Sequence, residues 1–170
     1  MAADVIRYLT ISHAPGEAAT PGMAIRHRFR RVLEWTLEQE RPDRMVVVTH
    51  SLGSVIAIDE LTRDGGPADR LPDGGVELVT MGSPISHLFQ HYFPEDYPAW
   101  NAPRWQPFLA RVKRWTNIYR ADDFVGTAIP DPGCGGASPP NLENHRVEHH
   151  GHTSYWTDIQ VLDHLIDLPL

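Results

Sequence analysis

A single cysteine, Cys134, stands in 170 residues. One thiol excludes an internal disulfide framework and any zinc cluster built on cysteine, and it suits a reducing compartment. Positive charge is also scarce: 15 lysines and arginines face 22 aspartates and glutamates, for a net charge of −7 and a pI near 5.7. A chain so acidic lacks the basic face that nucleic acids and anionic membranes require. No apolar run approaches the roughly 20 residues that span a bilayer. The opening Met1-Ala-Ala-Asp-Val-Ile-Arg has no basic segment followed by an apolar one, so no signal peptide is read there. A cytoplasmic protein is the expectation. No repeat is present, and 170 residues predict one domain, 1–170.

Proline (15) and glycine (13) are plentiful and fall between the periodic segments. That spacing predicts many short elements joined by ordered loops. Asp4 to Thr10 reads weakly as a short helix or strand, and Ser12 to Gly22 as a loop. From Met23 to Gln39 the apolar Ile25, Phe29, Val32, Leu33 and Leu37 recur at helical spacing among charges. Met45 to Val48 is a valine-rich buried strand. A helix after Ser51 carries Val55, Ile58 and Leu61 on one face and closes near Asp64-Gly65-Gly66. Val76 to Met81 is a second strand, ended by Gly82-Ser83-Pro84. Ile85 to Trp105 fits no single period and reads as a short helix and an irregular excursion. Its aromatics from Phe89 onward form either a cap over a pocket or core beneath a loop. Pro107 to Lys113 makes a helical turn or two, Trp115 to Arg120 a third strand, and Gly126 to Asn141 a long loop. Arg146 to His149 reads as a last short strand and Tyr155 to Leu168 as a terminal helix with Ile159, Leu162, Leu165 and Ile166 at helical spacing.

Strands alternating with helices predict a mainly parallel sheet covered on both faces. In such sheets reactive groups gather beyond the carboxyl ends of the strands. Ser51, Ser83 and Asp123 all follow strand ends, which puts them on one rim. Thr49-His50-Ser51-Leu52-Gly53 then reads as a nucleophile elbow. The serine stands on the corner between strand and helix, and the next backbone N–H, that of Leu52, faces a developing oxyanion. A serine hydroxyl needs an imidazole to take its proton, and the imidazole needs an acid to fix its tautomer. Asp123 follows a later strand and a histidine-rich loop precedes the last helix, giving the order serine, acid, histidine.

The segment from Val46 to Asp59 resembles the elbow strand and helix of lipase- and esterase-like α/β-hydrolases. Trp115 to Gly126 is similar to the stretch that carries their acid, and Gly151-His152-Thr153-Ser154-Tyr155-Trp156 to their histidine loop. The resemblance runs over residues 23–168. It implies a three-layer α/β-hydrolase-like domain with Ser51 as nucleophile, Asp123 as acid and His152 as base, cleaving carboxylic esters through an acyl-enzyme. The implied substrate is a small-molecule ester or acyl compound, with no cofactor.

Four departures from the pattern qualify it. Thr49 stands where the elbow has glycine. Phe124 replaces the proline of the acid turn, which leaves Asp122 as a rival to Asp123. His149, His150 and His145 rival His152 as base, while His50 more readily packs beside the nucleophile than acts on it. Only 44 residues precede Met45, where the family has several strands and a second oxyanion donor, whose loss typically costs about 10²–10³ in rate. The chain is therefore expected to lack the N-terminal strands and to correspond to the C-terminal two-thirds of the fold. This leaves two other readings. In one, the chain is a non-catalytic hydrolase-fold fragment whose open sheet edge pairs with a partner or a second copy. In the other, a metal hydrolase is ligated by His145, His149, His150 and His152, against which no His-Glu-x-x-His signature is present. Ser83 is read as a strand terminator, and Cys134 has no histidine partner in sequence.

Overall fold

The computed structural model describes residue 8, residues 20–132, 136–148, 150–166 and residue 168. The element expected over Asp4 to Thr10, most of the loop from Ser12, Cys134 and His149 lie outside these, apart from Tyr8. Four helices and four strands are used below: α1 (Pro21–Gln39), β1 (Met45–His50), α2 (Leu52–Thr62), β2 (Val76–Met81), α3 (Gln106–Arg111), β3 (Val112–Arg120), β4 (Leu142–Val147) and α4 (Ile159–Ile166).

The strands form one parallel sheet in the order β1-β2-β3-β4. Thr49 pairs with Thr80 and Met81 with Ile118, so the carboxyl ends of β1, β2 and β3 lie side by side. β2 is central and wholly buried, as expected of a strand covered on both faces. Its Val76 and Leu78 face one hydrophobic core, with α1, α2 and α3. Its Val79 and Met81 face the other, with Val161 of α4. Among the described residues no strand pairs with the outer edge of β1. A polar ladder crosses the sheet: Trp115 Nε1 donates to Thr80 Oγ1 at 3.0 Å, Thr80 to Asn117 Oδ1 at 2.9 Å, and Asn117 Nδ2 to Asn144 Oδ1 at 2.8 Å. Satisfied polar pairs inside a core fix one register, since a slip leaves each group unpartnered.

Several expectations shift in detail. α1 begins two residues early because Thr20 caps it, its hydroxyl accepting from Met23 N. Leu33 and Leu37 are buried, but Ile25 and Val32 face outward with Trp35. The last strand is Leu142–Val147 rather than Arg146–His149; as the outer strand beside β3 it carries exposed Glu143 and Arg146, which hid it from an apolar reading. The terminal helix is broken at Asp158, whose carboxylate accepts from Gln160 N at 2.9 Å, so only Ile159–Ile166 is α-helical. Val161 is its buried residue, while Ile159 and Ile166 are exposed. The excursion after β2 opens with a π-helix over Ile85–Gln90. Most of its aromatics are core: Phe89, Tyr97, Trp100 and Trp105 are buried, with Trp100 packed on Trp105 and edge-on to Trp115, while Tyr92 is exposed. No helix among the described residues is long and apolar enough to cross a membrane.

Candidate active site

Ser51 sits between the last residue of β1 and the first of α2 with φ 54° and ψ −132°. A side chain in the left-handed region costs about 1–3 kcal/mol and persists only where its surroundings hold it. Here Ser51 N donates to Met81 O at 2.9 Å, and Ser51 O accepts from Ser54 N at 3.0 Å and Ser54 Oγ at 2.6 Å. Ser54 Oγ also lies 2.7 Å from Ser83 Oγ, and both serines are fully buried. Ser83 is therefore more than a strand terminator, because it ties the exit of β2 to the corner that carries Ser51. Thr49 is accommodated by its hydroxyl, which donates to Val79 O at 2.9 Å. A Cβ at Gly53 would meet nothing within 4 Å, so that side of the elbow is open.

The structure brings Ser51, His152 and Asp123 together and engages the described rivals, Asp122, His145 and His150, elsewhere. Ser51 Oγ lies 2.8 Å from His152 Nε2. His152 Nδ1 lies 2.9 Å and 3.0 Å from the two oxygens of Asp123. Ser51 donating to Nε2 and Nδ1–H donating to Asp123 is the tautomer that satisfies both contacts. Asp122 is exposed and accepts instead from Gly151 N at 3.1 Å. His145 lies 3.4 Å from Glu143 and stacks on His164, with rings 4.6 Å apart. His150 offers its backbone carbonyl to Ser154 Oγ. No group of three or more histidine, cysteine, aspartate or glutamate side chains among the described residues is placed to hold a metal ion. Phe124 is 77% exposed beside the site.

Asp123 is 2% exposed, and a carboxylate there must be fully hydrogen-bonded. Oδ1 accepts from Val125 N at 2.9 Å and Gly126 N at 3.1 Å, and Oδ2 from the Tyr155 hydroxyl at 2.9 Å. Burial pushes the Tyr155 phenol far above its ordinary pKa, with the Asp123 charge adding to it, so Tyr155 stays a donor. Two glycines make the room. Gly82 has φ +56°, and a Cβ there would stand 2.9 Å from Asp123 Oδ2; one on Gly126 would stand 2.1 Å from Gly82 Cα. The glycine after β2 is thus demanded both by conformation and by close approach.

Arg120, at the end of β3 and 1% exposed, is the residue the sequence reading missed. Its guanidinium donates to Gly151 O at 2.7 Å and Ser154 Oγ at 2.6 Å, pairs with Asp158, and lies 4.2 Å from the Tyr155 ring centroid. Those contacts bracket His152 on both sides, so one buried cation anchors the histidine loop. His50 adds a second tether, its Nε2–H donating to the His152 carbonyl at 2.8 Å. Burial holds the His50 imidazole below its ordinary pKa, against the pull of that carbonyl.

No protein-family model and no curated protein matches the chain. Among solved structures it is similar to MGS-MChE2, an alpha/beta hydrolase enzyme from the metagenome of sediments from the lagoon of Mar Chica, Morocco. Identity is 14% and the TM-score 0.47, over 83% of this chain and 67% of the other.

Proposed function

We propose that this chain is a serine hydrolase that cleaves carboxylic esters through an acyl-enzyme on Ser51. The observation that carries the reading is the unbroken hydrogen-bonded series from Ser51 through His152 to Asp123, ending on a strand-to-helix corner with positive φ. His152 takes the proton from Ser51 as the hydroxyl attacks the ester carbonyl. Asp123 keeps Nδ1 protonated and stabilises the imidazolium, and the backbone N–H of Leu52 faces the oxyanion. His152 then returns the proton to the leaving alcohol, and water repeats the sequence to free the acid. The fold frame is α/β-hydrolase-like, with the elbow on β1.

The test is a fluorophosphonate probe followed by peptide mass spectrometry, with p-nitrophenyl acetate as substrate. Labelling at Ser51, absent in Ser51→Ala, and a burst of nitrophenol near one per chain are expected. A chain that stays unlabelled and shows no burst sinks the proposal. A second reading rests on the edge of β1, which no strand among the described residues pairs, and the open space at Gly53. In it the chain works by associating with a partner strand or a second copy. An unlabelled chain that sediments as a dimer favours that reading.

A further inference from the structure

At the far end of α2 from Ser51, about 18 Å away by helix rise, arginines gather on an otherwise acidic protein. A cleft of about 230 Å³ there is lined by Arg26 of α1, by Asp59, Glu60, Thr62 and Arg63 at the end of α2, and by Arg104 before α3. Both carboxylates in it are already neutralised. Asp59 Oδ2 accepts from the hydroxyls of Tyr8 at 2.6 Å and Tyr97 at 2.9 Å, and Oδ1 from Arg104 at 3.0 Å. Glu60 takes a two-pronged contact from Arg30, at 2.8 and 2.9 Å. Three guanidiniums line the cleft against two carboxylates; with Arg30 and the Glu34 beside it the count is four against three, a surplus of one positive charge either way. No ion pair among the described residues engages Arg26 or Arg63, and the Arg26 Nε–H is buried without a hydrogen-bond partner.

Arg26 and Arg104 are also held in place by aromatic rings, while Arg63 is exposed. Arg26 lies 4.6 Å over the Tyr8 ring, and Arg104 lies 5.2 and 5.0 Å from the rings of Tyr97 and Trp105. Stacking fixes a guanidinium plane while leaving its N–H edge free to face an anion. The negative end of the α2 dipole, which would repel an anion, is capped: Arg111 donates to the carbonyls of Leu61 at 2.6 Å and Arg63 at 3.0 Å. Arg63 also borders a second, wider cleft of about 440 Å³ reaching Arg30, Glu34 and Arg70. That cleft gives room for the rest of a molecule whose anionic head sits in the first.

We propose that the cleft between α1 and the end of α2 binds a phosphate group, gripped by Arg26 and Arg63 with Arg104 alongside. The planar fork of arginine matches phosphate oxygens in pairs, and the two arginines of the lining that carry no ion pair among the described residues supply the charge. The site stands apart from Ser51 and does not depend on the chemistry proposed there.

The test is calorimetric titration of the full chain with inorganic phosphate and with glycerol 3-phosphate, at ionic strength held constant with chloride. Saturable binding is expected, weakened about tenfold or more in Arg63→Gln and in Arg26→Gln, as loss of one charge-assisted contact implies. Arg63 is exposed, so its variant folds even if the Arg26 variant does not, and Arg63→Glu must weaken binding further. Tighter binding of glycerol 3-phosphate assigns a phosphorylated organic molecule, and equal binding assigns free phosphate. Heat no greater than with chloride, or affinity unchanged in Arg63→Gln, overturns the site.

Discussion

Asp123 and Asp59 are both buried carboxylates, and each accepts hydrogen bonds from tyrosine hydroxyls. They differ in what completes the shell. Around Asp123 two backbone N–H groups and Tyr155 leave one direction open, and His152 fills it. Around Asp59 a second tyrosine and Arg104 take the places held by the backbone N–H groups and His152 at Asp123, and no histidine among the described residues hydrogen-bonds it. The first carboxylate can orient a base and answer its charge. The second is spent on structure, joining α2 to Tyr8 and to the excursion after β2. Burial and tyrosine partners alone do not set the two carboxylates apart; the identity of the last donor does.

Exchanging each carboxylate for its amide gives the largest predicted contrast. In Asp123→Asn the amide no longer holds His152 with Nδ1 protonated, and kcat for p-nitrophenyl acetate is expected to fall about 10⁴-fold. Asp59→Asn removes the ionic partner of Arg104 and is expected to cost about 1–3 kcal/mol of stability, with kcat within a few-fold. Steady-state kinetics beside urea melts separates the two. Equal losses of activity would erase the distinction.

Arg120 and Arg104 carry the comparison to the cations. Arg104 is partly exposed, whereas Arg120 and its partner Asp158 are buried together. Arg120→Met strands the Asp158 carboxylate, Gly151 O and Ser154 Oγ, and is expected to cost about 3–5 kcal/mol in a urea melt. Arg120→Lys keeps a charge but not the three-way reach. It should fold and still lower probe labelling at Ser51, because the histidine loop loses its anchor.

These contrasts also show how far the sequence reaches. Val76 to Met81 is legible to the residue, because a central parallel strand reads as a mostly apolar run, here interrupted only by Glu77 and Thr80. The three residues that the structure brings together are legible as candidates because each follows an element end with local signals: the elbow, the paired aspartates after β3, and the histidine before Tyr155-Trp156. Asp123 prevails over Asp122 only in three dimensions, since adjacent residues at a turn point in opposite directions. Arg120 reads in sequence like any charged residue at a strand end, and nothing local says that four later residues converge on it. The same holds for Asp59, whose donors come from Tyr8, Tyr97 and Arg104. Periodicity finds α1 but not its orientation, because Ile25, Val32 and Trp35 form a second stripe that faces outward.

A smaller effect separates the two sets of tyrosines. Tyr155→Phe removes one of the donors to Asp123 and keeps the ring against Arg120. One such bond is worth about 1 kcal/mol, so a loss of that order is expected in stability, with a comparable several-fold fall in kcat. Tyr97→Phe takes a donor from Asp59, and an equal stability loss is expected with kcat unchanged. A fall in kcat for Tyr97→Phe would couple the two carboxylates through α2.

The smallest effects lie in pH dependence, where the two regions have opposite signs. Burial holds His50 below its ordinary pKa, so in acid the unfolded chain takes up a proton that the folded one refuses. Its contribution is complete above about pH 6.5 and is lost as pH falls through the lowered folded value. Burial pushes Asp59 the other way, with its tyrosine bonds and Arg104 opposing. The folded chain then holds the proton longer, and that contribution is complete below about pH 3.9 and lost as pH rises through the raised value. Urea midpoints from pH 8 downward should therefore carry a His50 slope that His50→Gln flattens while keeping an N–H for the His152 carbonyl. Asp59→Asn should remove a slope of opposite sign and leave the His50 slope intact. If His50→Gln leaves the profile unchanged above pH 5, the acid sensitivity belongs to another histidine, and His50 is a tether without a titration.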